Sequence, residues 1–175
     1  MHVMLDIETL ATTPDAVVMS VGVVKFDPHS GTPHNKTLWR PDIDEQTARD
    51  RHISDSTLEW WAKQPDHIQE DAFSDQGRIP VTEFMKELNR YCVGMDKIWC
   101  QGPQFDMLIL ENLYIQWGHH FGWQFWQVMD CRTLFQLMPV DPRKAIQQDL
   151  HSADADAYYQ AIGVQQCYEH FGITK

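Results

Sequence analysis

Ala16-Val17-Val18-Met19-Ser20-Val21-Gly22-Val23-Val24-Lys25-Phe26 is dominated by β-branched side chains and follows a Pro14-Asp15 turn signal, so it reads as a strand. Upstream, His2 to Glu8 is short and apolar apart from its acids, and reads as a buried strand. Downstream, after a turn region from Pro28 to Pro33, Lys36 to Arg40 supplies a third. Three such strands in succession predict an antiparallel meander.

Helical signals then take over. Ser54 or Asp55 can cap a helix carrying Leu58, Trp60 and Trp61. Pro80 opens a stronger one, with Val81, Phe84, Leu88 and Tyr91 at helical spacing before Gly94. Lys97 to Gln101 reads as a fourth strand, Phe105 to Trp117 as a helix ending at Gly118, and Asp130 to Met138 as helical. The aromatic stretch from Gly118 to Trp126 has no clear period. A last helix from about Ala153 to Phe171 places Ala157, Ala161, Val164, Tyr168 and Phe171 on one face. The expectation is one α/β domain spanning residues 1–175, a mixed sheet flanked by helices.

Composition narrows the chemistry. A 43% hydrophobic content suffices for a continuous core at this length. The first residues show neither a basic leader nor a cleavage site, and no apolar run approaches the ~18 residues of a membrane span. A soluble, cytoplasmic protein is expected. Cys92, Cys100, Cys131 and Cys167 are scattered without a C-x-x-C pair, which argues for free thiols over zinc or disulfides. The net charge of −11 argues against a protein that coats long duplexes, because phosphate contacts come mostly from Lys and Arg. An enzyme acting at ends through bound cations is compatible with it.

Three groups of residues carry chemistry. In Asp6-Ile7-Glu8, residues i and i+2 of a strand, both carboxylates point to one face. Buried there, they are costly unless a cation neutralises them, although a solvated strand end would also explain the pair. Asp106, just past the fourth strand, sits in the first turn of a helix, where an acid also suits the helix dipole. In His151-Ser152-Ala153-Asp154-Ala155-Asp156-Ala157, Asp154 alone would serve as a cap. A cap leaves His151 and Asp156, with small alanines between them, unexplained.

The order D-x-E, F-D and H-x-A-x-x-D resembles the DEDD exonuclease superfamily, in its histidine-bearing branch, which has a ribonuclease H-like fold. Asp6 and Glu8 match the first motif, Asp106 the second, and His151 with Asp156 the third. The sister branch has a tyrosine where this chain has Ser152. The likeness runs from Met4 to about Ala161. Glu59-Trp60-Trp61, Trp99 to Leu110 and Asp130-Cys131-Arg132-Thr133-Leu134 look most like the subgroup of mycobacterial-type 3′–5′ exoribonucleases and phage exonuclease VIII-like proteins. Many members carry His-Asn before the middle Asp, where this chain has Gln101-Gly102-Pro103-Gln104.

The resemblance implies a 3′–5′ exonuclease with two metal ions roughly 3.5–4 Å apart. Hard oxygen ligands suit Mg²⁺ or Mn²⁺. Asp6 would bridge the ions, with Glu8 and Asp156 on the nucleophile side and Asp106 on the other through water. His151 would be the general base. Thr9 and Leu10 would line the pocket for the terminal nucleotide, and Trp60, Trp61 and Phe105 are candidates for base stacking, although core packing also accounts for them. A single-stranded 3′ end is the expected substrate. Seven tryptophans, several between Trp117 and Trp126, together with dimeric relatives, point to a homodimer. A haloacid-dehalogenase-type phosphatase needs Asp at the position of Glu8. A domain that binds nucleic acid without cutting it should have lost a carboxylate, and none is missing.

Overall fold

A computed structural model describes residues 1–145 and 152–175. His151 lies outside the described residues. The expected meander is present: β1 (His2–Thr9), β2 (Val18–Asp27) and β3 (Ser30–Pro41) pair antiparallel in sequence order. β3 begins earlier than expected, because the turn closes tightly at Asp27, whose carboxylate accepts from the His29 N–H. The β2–β3 register slips on both sides of Lys25, and Pro33, which has no N–H to donate, falls in this irregular part.

Beyond the meander, α1 (Ile43–Thr47), α2 (Asp55–Trp61) and α3 (Asp66–Ala72) lead to β4 (Arg78–Ile79) and α4 (Val81–Tyr91). β5 (Lys97–Cys100) and α5 (Asp106–Gln116) follow, then β6 (Val128–Asp130), α6 (Cys131–Gln136) and α7 (Ala153–His170). The sheet order is β4-β3-β2-β1-β5-β6, with β1–β5 and β5–β6 parallel, so the sheet is mixed as expected. The strand β6 and the helices α1 and α3 are too short to show a period. They exist because neighbours satisfy their backbones. Phe171, expected on the buried face of α7, is 40% exposed at the helix end.

Alternation on the strands sorts the core into two layers. Val3, Leu5 and Ile7 of β1 pack with α4 and α5, where Phe84, Leu88, Leu110 and Leu113 are fully buried. Met4, Val24 and Phe26 face the other way, onto Ala157, Ala161 and Val164 of α7 and Phe135 of α6. Each such large side chain contributes about 1.5–3 kcal/mol on burial. Because Asp6 and Glu8 share the side of Met4, the sheet aims them at α7. All four cysteines are free and buried, as expected. Among the described residues no helix is long and apolar enough to cross a membrane.

Candidate metal centre

The last β1–β5 pair is Met4 with Trp99, so Asp6 and Glu8 lie beyond this ladder, at the C-terminal end of the parallel pair. On the other side Asp6 is opposite Gly22 of β2 and Glu8 is opposite Ser20. Gly22 is where α7 begins its crossing. A Cβ added there would lie 2.1–2.2 Å from the backbone of Ala153 and Asp154. Only glycine allows that approach, and it brings the first turn of α7 onto the strand beside Asp6.

Asp6, Glu8 and Asp156 each offer a carboxylate oxygen, and these oxygens lie within 4.8 Å of one another. The neighbouring acid Asp154 is kept apart from them. It pairs with Lys36 at 2.7 Å and accepts from the Ser152 hydroxyl at 2.7 Å. Asp106 enters from the β5–α5 junction, where Gly102 adopts φ +126° to turn the chain into the helix. Its side chain is buried, and after burial itself its charge is the largest influence on Asp6. All four acids predicted from the sequence are thus brought to one end of the sheet.

The electrostatics match that crowding. Burial, then the charges of Asp106, Glu8 and Asp156, raise the Asp6 pKa well above the usual carboxylate range, against a hydrogen bond from Gln160. Burial, then Asp156 and Asp106, raise Glu8 to about 8. Burial raises Asp106 to about 7, opposed by backbone hydrogen bonds and by Arg132. Among the described residues neither Asp6 nor Glu8 has a cationic side-chain partner. An all-oxygen set of this kind fits a hard divalent cation and not zinc held by sulfur and nitrogen.

A cavity of about 390 Å³ opens beside Glu8, walled by Thr9, Thr12, Ser56, Thr57, Trp60, Trp61 and Phe105. Its size falls in the range of small-ligand pockets, about 300–1,000 Å³. Trp60 is 42% exposed and half-buried Phe105 shares the wall, whereas Trp61 is buried. The Trp61 indole N–H donates to the Thr9 carbonyl at 3.0 Å, so this ring supports the floor. Leu10 is packed in the core with Val17, Met19 and Trp61, behind the cavity. Ser56 and Thr57 were not anticipated, because nothing in their local sequence marks hydroxyls that tertiary packing brings to Glu8. A larger cavity, about 630 Å³, lies between the β2–β3 turn and the end of α7, away from the carboxylates.

The family model described as the 3′-5′ exoribonuclease Rv2179c-like domain matches residues 1–168. No curated protein matches the sequence. Among solved structures, the zinc-bound E. coli exonuclease I–single-stranded DNA complex aligns with 98% of this chain and 41% of its own, at TM-score 0.72 and 12% identity. Exonuclease X in complex with 5′-overhanging duplex DNA aligns over 99% of this chain and 95% of its own, at TM-score 0.64 and 16% identity. Exonuclease I from Methylocaldum szegediense gives 0.68 and 13%, over 98% and 41%. At these identities the likeness shows a shared fold. The chain spans about two fifths of the exonuclease I chains it matches.

Proposed function

Because the chain belongs to the Rv2179c-like 3′-5′ exoribonuclease domain family, we propose that it is a divalent-metal-dependent 3′–5′ exonuclease, a single domain over residues 1–175, acting on single-stranded 3′ ends of RNA or DNA. The observation that carries this reading is the convergence of Asp6, Glu8 and Asp156 oxygens within 4.8 Å, beside a cavity walled by exposed Trp60.

Asp6, Glu8, Asp106 and Asp156 would hold two Mg²⁺ or Mn²⁺ ions. Bound there, the ions would acidify water and offset charge on the phosphate oxygens. The protein's own part is to orient and to move a proton. Thr9, backed by Leu10 and Trp61, shapes the floor for the terminal nucleotide, and Trp60 and Phe105 offer faces for its base. His151 takes the proton of the attacking water.

The test is digestion of single-stranded RNA and DNA labelled at either end. Mononucleotides should leave the 3′ end only, and only with Mg²⁺ or Mn²⁺ present. Digestion in excess EDTA would remove the metal from the reading.

The base role has its own check. An imidazole acts as a base only in its neutral form, so activity at saturating metal should show a limb that rises with pH. His151→Ala should erase that limb and slow turnover by about 10²–10⁴-fold while sparing metal binding. Wild-type turnover with an unchanged pH profile would exclude it.

We also place the enzyme in the cytoplasm, as a homodimer. Phe125 and Trp126 are 82% and 60% exposed beside the edge strand β6, a patch suited to burial between subunits. Light scattering at micromolar concentration should give twice the chain mass, and a strict monomer would refute the dimer.

A further inference from the structure

Gln160 is 7% exposed and lies one helical turn after Asp156, on the same face of α7. Its neighbours on the buried side are Ala157, Ala161 and Val164. A primary amide in such a place costs about 1–3 kcal/mol unless its hydrogen bonds are made. Leu or Met would pack there at no such cost.

The bonds that it makes are directed. Its Nε2 donates to Asp6 Oδ1 at 2.8 Å, and its Oε1 faces the Cys131 thiol, with Sγ at 4.0 Å. A thiol is a weak donor, so Cys131 suits the carbonyl end of the amide, and the NH₂ end is the one that meets the carboxylate. We propose that Gln160 is a positioning residue for the metal centre: its amide, oriented by Cys131, fixes the plane of the Asp6 carboxylate so that the free lone pairs face the space shared with Glu8 and Asp156.

The choice of an amide follows from charge. Lys or Arg in this place would neutralise Asp6 and compete with the cations. Glu would add a further repelling carboxylate. A neutral donor holds Asp6 without doing either. Neither Gln160 nor Cys131 belongs to the acidic motifs, and the contact joins the first motif to the last through their backs.

This inference rests on the proposed metal-dependent reading, and titration calorimetry of Mn²⁺ into the full chain separates the two. Wild-type protein that bound no Mn²⁺ would overturn both. Given binding, Gln160→Met, similar in length but without a donor, should weaken Mn²⁺ by about 10–100-fold, the usual effect of removing a residue that orients a ligand. The KM for the oligonucleotide should not change, and the circular dichroism spectrum of the metal-free protein should match that of wild type. Cys131→Ala should weaken Mn²⁺ in the same direction by less. A Gln160→Met protein with wild-type Mn²⁺ affinity would sink the positioning role. So would a loss of affinity accompanied by loss of the metal-free fold.

Discussion

Asp6→Asn is expected to lower turnover by at least about 10³-fold while making the metal-free protein more heat-resistant at pH 8. The loss follows from position, since Asp6 is the acid beside Glu8, Asp106 and Asp156 alike. Metal-derived stabilisation of a phosphoryl transition state is worth several kcal/mol, and each 1.36 kcal/mol is about tenfold in rate. The stability gain follows from linkage. In the unfolded chain Asp and Glu side chains ionise near pH 4. In the metal-free fold their pKa values are raised, that of Glu8 to about 8. Their contribution to stability is therefore fully present below about pH 4 and declines as pH rises toward 8. Removing one of the mutually repelling charges reverses part of that decline, at about 2–4 °C in melting temperature per kcal/mol for a chain of this size. Melting curves in EDTA at pH 5 and pH 8 test the sign. Saturating Mg²⁺ should then raise the wild-type melting temperature at pH 8, by about 2.7 kcal/mol equivalent at a hundredfold excess over Kd, and leave the variant unmoved. A variant that melts lower than wild type at pH 8 in EDTA would contradict the repulsion on which this rests.

Gly22→Ala should damage fold and activity together. The added methyl would meet backbone atoms of Ala153 and Asp154 at 2.1–2.2 Å, and a backbone cannot rotate away as a side chain can. Either β2 bends or the first turn of α7 lifts, at about 1–3 kcal/mol or more. Lifting α7 draws Asp156 away from Asp6 and Glu8. A displacement near 1 Å costs about 10²-fold in rate. Circular dichroism melts and turnover at saturating Mn²⁺ read the two effects. Wild-type values in both would show that the close approach carries no weight.

The sequence carried what depends on period and on type. Alternation set Asp6 and Glu8 on one face, and the structure directs that face at α7. Helical spacing located α4, α5 and α7 to within a few residues. What it did not carry is whatever a distant segment decides. The H-x-A-x-x-D spacing singled out Asp156, but nothing near it in sequence shows what holds Asp154 aside, which is Lys36, far away on β3. Trp60 and Trp61 are adjacent, yet a hydrogen bond to the Thr9 carbonyl buries one and leaves the other exposed. Gln160 belongs to no motif, and only its distance to Asp6 distinguishes it. The aromatic stretch without a period divides likewise. Trp123 stacks on Phe121 within the core, and Phe125 and Trp126 remain outside.

That Asp6 and Glu8 stand past the end of the β1–β5 ladder bears on how such a domain can drift. No sheet hydrogen bond between these strands depends on them, and their mutual repulsion works against the fold. Replacing Asp6 or Glu8 is thus a change that folding tolerates or even favours. Only selection for turnover would hold the set together, and once that pressure lapsed a lineage would slide toward inert, sturdier descendants of the same shape.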